Sequence, residues 1–130
     1  MPKKESASPR LGRLETKIMS VVWNRGTATV HEVRDKLGRG KKPAYSTILT
    51  MMRKLEAKGF LEQRVHDRKY VYRAVIDQQV VRRSVLGDLV ERLFDGSPAL
   101  LVSSLLEQEG VSDEEMAEIR KLMRMRESGT

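Results

Sequence analysis

Apolar residues along this chain recur with two different periods, and the places where the period changes divide it into parts. From Leu11 to Asn24, Leu14, Ile18, Val21 and Val22 fall at three- and four-residue steps, which predicts a helix with one apolar face. Trp23 adds a large anchor near its end, and Gly26 suits the stop. Core packing accounts for Trp23 better than base stacking, because no other aromatic lies nearby in sequence to build a platform. Thr29 and Glu32 form a T-x-x-E capping box that opens a second helix. Val30, Val33 and Leu37 supply its buried face, and it ends near Gly38. A third helix runs from about Tyr45 to Lys58, with Ile48, Met51 or Met52, and Leu55 as its inward stripe. Gly59 ends it, and Phe60 and Leu61 return to the core.

The period then falls to two. Glu62 to Val65 and Lys69 to Arg73 are short, Val- and Tyr-rich segments separated by His66-Asp67-Arg68. A small hairpin fits, with Tyr70 and Tyr72 on one face and Val71 on the other. Helical spacing resumes from Gln78 to Phe94, where Val81, Val85, Leu89 and Leu93 stand at four-residue steps. Asp95-Gly96 breaks this helix, and Ser97 with Pro98 starts another through about Gln108. After Gly110, Ser112 and Glu115 form a second capping box for a helix bearing Met116, Ile119, Leu122 and Met123. The last three helices have more apolar face than one subunit can cover, which argues for a helical dimer.

This pattern is mainly α with a small β wing. Its N-terminal order of helix, capped helix, basic loop, helix and wing is the layout of a winged helix-turn-helix. The expected organisation is a flexible basic arm over residues 1–10 and a DNA-binding domain over 11–75. A three-helix dimerisation region over 76–126 follows, then a flexible tail over 127–130. Dimerisation is assigned to Val81, Val85, Leu89, Leu93, Leu101, Leu105, Met116, Ile119 and Met123.

Charge follows the same division. Residues 1–74 carry 18 Lys/Arg against 7 Asp/Glu, a net of +11, whereas 75–130 carry 7 against 11, a net of −4. A basic half suits a polyanion, although RNA or anionic lipid would also satisfy charge alone. No run is apolar enough for a membrane helix, and the basic N-terminus leads into no signal-like segment, so a cytoplasmic location is expected. Without Cys, and with only His31 and His66, neither disulfides nor a metal site are expected. No phosphate-cradling Gly loop, HExxH or nucleophilic array is present, so the chain is not read as an enzyme and no cofactor is implied.

The third helix carries the functional reading. Ser46, Thr47 and Thr50 are small hydroxyl residues that permit close approach to base edges in a major groove, with Leu49 beside them. Arg53 and Lys54 reach bases or phosphates, and Tyr45 at the helix start can pack on sugar or a thymine methyl, a plain surface position being the alternative. Arg68 and Lys69 at the wing tip, joined by Arg64 or Arg73, would hold the phosphate backbone without choosing sequence. Acidic residues in this half are few, and the helix N-terminus itself favours a phosphate.

Taken together, these residues resemble the penicillinase repressor family of bacterial transcriptional repressors (BlaI/MecI/CopY type). The resemblance lies in LGRLETKIMSVVWNRG at 11–26, with Glu15, Ile18, Met19 and Trp23, and in YSTILTMMRKLEAKGFL at 45–61, with Thr47, Leu55, Lys58 and Gly59. Tyr70 and Tyr72, the helix after Asp95-Gly96 and the segment from Ser112 to Ile119 extend it over about residues 11–123. The resemblance implies a homodimer on a palindromic operator, with Ser46, Thr47, Leu49, Thr50 and Arg53 on bases. Tyr45, Lys54, Arg64, Arg68 and Lys69 are assigned to the DNA backbone. It also implies targets such as β-lactamase or penicillin-binding-protein genes, and release by an inducing protease acting in the C-terminal region. Two departures stand out. Where family members cleaved in the fifth helix carry Asn–Phe, this chain has Ser104-Leu105, and its ending RMRESGT lacks the Cys of copper-responsive members. The competing reading is a winged-helix protein-interaction or architectural module without operator specificity.

Overall fold

A computed structural model describes residues 11–38 and 40–129, so the expected N-terminal arm, Arg39 and Thr130 lie outside the described residues. The described residues divide into two compact units, one up to residue 86 and one from residue 87.

The first unit begins with α1 (Arg13–Arg25), the short strand β1 (Thr27–Ala28), α2 (Val30–Asp35) and α3 (Tyr45–Ala57). It continues with β2 (Leu61–His66), β3 (Lys69–Ala74) and the first part of α4 (Gln78–Leu93). The capping box at Thr29 forms as expected. The Glu32 N–H donates to Thr29 Oγ1 at 3.1 Å, and the Thr29 N–H donates to Glu32 Oε1 at 2.9 Å. α2 stops at Asp35, short of Gly38, and the basic loop after it is tied at both ends. Arg34 Nε donates to the Pro43 carbonyl at 2.8 Å, and Lys42 Nζ donates to the Asp35 carbonyl at 3.1 Å. These bonds fix where α3 begins.

The wing was expected to be two-stranded, but the sheet has three strands in the order β1-β3-β2, all antiparallel. β1 is only two residues long, too short to show a period, yet it places Ala28 opposite Tyr72 and fully buries it. The β2–β3 turn has Asp67 at φ 50° and Arg68 at φ 66°, the two left-handed residues that a type I′ hairpin requires. On the outer edge, Glu62 accepts hydrogen bonds from both Arg73 and Arg64.

The core of this unit draws Ile18, Met19 and Val22 from α1, Val30 and Val33 from α2, and Ile48, Met52 and Leu55 from α3. Of the two methionines left open by the sequence, Met52 is fully buried and Met51 half-buried. Phe60, Leu61 and Tyr72 close the core below. Trp23 packs against it and donates Nε1–H to the Ile76 carbonyl at 3.0 Å, consistent with an anchor. Val81 corrects one expectation: it belongs to this core, 5% exposed, rather than to a dimer seam. Residues four apart on a helix differ by 400°, so each step drifts about 40° around the axis. Three steps carry the apolar row well off the face that Val81 occupies, and Leu93 is 67% exposed.

The second unit comprises the rest of α4, α5 (Pro98–Glu107) and α6 (Asp113–Gly129). Asp95 and Gly96, both with positive φ, end α4. Ser97 Oγ accepts from the Leu100 N–H at 3.0 Å with Pro98 in the first turn, and Ser112 Oγ accepts from the Glu115 N–H at 3.1 Å. α6 runs to Gly129, beyond residue 126 where a flexible tail was expected. Nothing before Gly129 breaks a helix, and Ser128 Oγ bonds back to the Arg124 carbonyl at 3.0 Å. Neither α5 nor α6 contains a buried residue. Among the described residues, no helix is long and apolar enough to cross a membrane.

Candidate nucleic-acid interface

α3 is the element on which the site is built, and its two sides differ sharply. Ile48, Met52 and Leu55 are fully buried, while Tyr45, Ser46, Thr47, Thr50, Arg53 and Lys54 are exposed. The helix packs on α1, α2 and β2, so its polar side is presented by a scaffold on three elements. Leu49 lies between the two sides, half-buried and packed against the core edge. Of this side chain, expected from the sequence to meet a base, only part is left open.

Beside this face runs the wing. Arg64, Arg68 and Lys69 are exposed. Arg68 and Lys69 hold no ion pair among the described residues, whereas Arg64 and Arg73 share Glu62. The hydrogen bond from Arg73 chiefly, helped by Arg64, keeps the Glu62 carboxyl below its ordinary value. The wing's uncommitted positive charge is thus concentrated at its tip.

A cavity of about 620 Å³ lies between α2, α3 and the wing; Leu49, Arg53, Arg68 and Lys69 are among its lining residues. With Tyr45, which also lines it, the cavity brings together five of the residues expected to meet DNA. Two features of this region carried no sequence signal. His31 of α2 packs on Tyr45 with ring centroids 4.6 Å apart, which fixes the tyrosine at the helix start. Tyr72, on the floor of the cavity, is fully buried with its hydroxyl lacking a hydrogen-bond partner. Burial pushes that hydroxyl up, Glu56 adds to the rise, and the Arg53 guanidinium opposes it.

The far end of α3 is held by a polar contact that sequence spacing could not reveal. Lys58, which caps the helix, reaches Glu15 of α1 at 3.0 Å, and Glu15 also accepts from the Gly12 N–H at 2.9 Å. Burial by itself would raise the Glu15 carboxyl, but the Gly12 N–H and the Lys58 ammonium outweigh it and hold it below 4.5. A carboxylate with a depressed folded-state pKa contributes stability above its unfolded value, which is lost as pH falls through the folded one. Thermal stability is therefore expected to decline as pH drops below about 4.5, the unfolded value. Glu15→Gln should lower stability at neutral pH by about 1 kcal/mol and flatten the acid decline. An acid profile unchanged by Glu15→Gln would refute this role for the pair.

Among the described residues, no group of three or more His, Cys, Asp or Glu is arranged to hold a metal ion. The penicillinase repressor family matches residues 11–125, spanning both units. The chain belongs to the penicillinase repressor family. It is a transcriptional regulator whose DNA-binding element is a winged helix. It is 26% identical over 115 residues to the penicillinase repressor of Bacillus licheniformis, covering 88% of this chain and 90% of that protein. It is 20% identical over 109 residues to the methicillin resistance regulatory protein MecI of Staphylococcus aureus (strain N315), covering 84% and 89% respectively. In fold it is similar to a MarR family protein from Bacillus stearothermophilus, with a TM-score of 0.52 at 17% identity. That alignment covers 92% of this chain and 74% of the other.

Proposed function

We propose that this protein is a homodimeric repressor that reads a palindromic operator, each subunit placing α3 in a major groove of one half-site. The observation that carries this reading is the two-sidedness of α3: a fully buried apolar stripe opposite an exposed row of hydroxyls and cations. In this reading Ser46, Thr47, Thr50, Arg53 and the open part of Leu49 meet base edges. Tyr45, Lys54, Arg68 and Lys69 hold phosphates, with a smaller share from Arg64 because Glu62 already engages it.

The second copy is supported by the apolar side chains of the C-terminal unit. Leu100, Val102, Leu105 and Leu106 on α5, and Leu122, Met123 and Met125 on α6, are 43–57% exposed in the single chain. Leu101, Met116 and Ile119 are half-buried beside them, so the seam assigned from sequence retains Val85, Leu89, Leu93 and these residues without Val81. For targets, the relative named a penicillinase repressor supports a β-lactamase gene, while penicillin-binding-protein genes and release by an inducing protease extend the family resemblance. Ser104-Leu105, the position matching the cleavage pair, lies inside α5. A protease would need that helix to open, and a ten-residue helix is marginal without tertiary support.

Selection from random duplexes with the purified protein tests the reading. A palindromic motif should emerge, and affinity for it should fall about a thousandfold between about 50 and about 200 mM salt. Arg53→Ala should relax preference at one base pair per half-site, by about 1–3 kcal/mol of discrimination. Lys69→Ala should weaken all duplexes alike and reduce the salt slope by about one. Binding without sequence preference would instead favour an architectural or protein-interaction role. The position of the selected motif in the host genome tests the proposed targets.

A further inference from the structure

We propose that Tyr72 is a positioning residue for base recognition: with α3 against DNA, its enclosed hydroxyl accepts a hydrogen bond from the Arg53 guanidinium and aims that side chain at one base pair. This rests on α3 being the DNA-reading helix. The observations begin with the place of Tyr72 in the sheet. It occupies the middle of β3, with Ala28 of β1 opposite it on one side and Gln63 of β2 on the other. Its ring is fully buried in the core, and its hydroxyl is enclosed without a partner.

A phenylalanine would fill the same volume without enclosing a polar atom; in the free protein the hydroxyl completes no hydrogen bond, and its one favourable neighbour there is the nearby Arg53 guanidinium. Arg53 lines the same cavity as Tyr72, holds no ion pair among the described residues, and faces the hydroxyl closely enough to offset part of the effect of its burial. The chemistry of the two groups is complementary. A guanidinium carries five N–H donors and no acceptor, and a bidentate contact with the O6 and N7 of guanine uses two of them. A phenol oxygen beneath the side chain can accept one of the others. A long exposed arginine loses rotamer freedom when it docks on a base, and a second anchor at the root of the guanidinium narrows the conformations that compete with docking. Tyr45 and Gln63 also line the cavity, and Glu56 adds a negative charge near the hydroxyl that favours a cation there.

The test is Tyr72→Phe, measured on the selected operator and on a panel carrying each single base-pair change in a half-site. Discrimination at the base pair whose preference depends on Arg53 should narrow about threefold or more. Discrimination elsewhere and the salt slope should stay unchanged, and the thermal midpoint should hold or rise. In an Arg53→Ala background, Tyr72→Phe should have no further effect. Equal weakening on every duplex would overturn the proposal by leaving Tyr72 a packing role only, and so would a profile unaltered by the substitution. An effect of the same size with and without Arg53 would overturn it as well. Absence of any discrimination by the wild-type protein would instead refute the DNA-reading assignment of α3.

Discussion

Replacing Leu55 with alanine is expected to lower the unfolding free energy of the first unit by about 3 kcal/mol. Leu55 is fully enclosed on the buried stripe of α3, where that helix packs on α1, α2 and β2. Truncation removes the transfer energy of the lost methyl and methylene groups and leaves a cavity that close-packed neighbours fill only partly. A domain of this size holds about 5–15 kcal/mol in all, so the loss is a large share and should lower the midpoint by 10 °C or more, at roughly 4–8 °C per kcal/mol. Trp23, the chain's one tryptophan, lies in this unit and reports its unfolding by fluorescence. Because the same stripe sets how α3 is presented, operator affinity should fall even at temperatures where the unit remains folded. A midpoint within about 2 °C of wild type would show that α3 contributes little to this core.

The second large effect is expected from Leu105→Glu. Leu105 is 44% exposed on α5, a helix without a charged residue before Glu107. A carboxylate there would be desolvated without a partner if a second copy covers this face, so mass in dilute solution should shift to that of the monomer. Two half-site contacts joined in one dimer gain about 10²–10⁴ in affinity over separate ones, and operator binding should weaken by about that factor. The fluorescence midpoint of Trp23 should not move, which separates loss of pairing from loss of fold. An unchanged mass would place the seam elsewhere on the C-terminal unit.

The parts of the fold that were legible in the sequence are those whose signals are local. The Thr29–Glu32 box, the buried stripe of α3, the hairpin and the Asp95-Gly96 break each occupy a few neighbouring residues. The features that escaped depend on distant partners or on too few residues. β1 has two residues and becomes a strand only because β3 lies beside it. Glu15 and Lys58 meet across 43 positions, and Trp23 reaches Ile76 across 53. Val81 was grouped with Leu93 by a four-residue spacing that looks regular along the sequence but winds around the helix. Within the candidate interface, the exposed residues of α3 were readable from their contrast with the apolar stripe. The burial of the Tyr72 hydroxyl was not, because alternation along β3 gives the direction of a side chain but not whether its tip finds a partner.

The tip of the wing sets two demands against each other. Arg68 sits in left-handed backbone, a conformation that costs an ordinary side chain about 1 kcal/mol or more and a glycine almost nothing. Glycine at that position would give a better turn and a wing with one fewer cation. The hairpin is therefore less stable than its length and register would allow, and the difference is the energetic measure of keeping a charge at the tip of the β2–β3 turn.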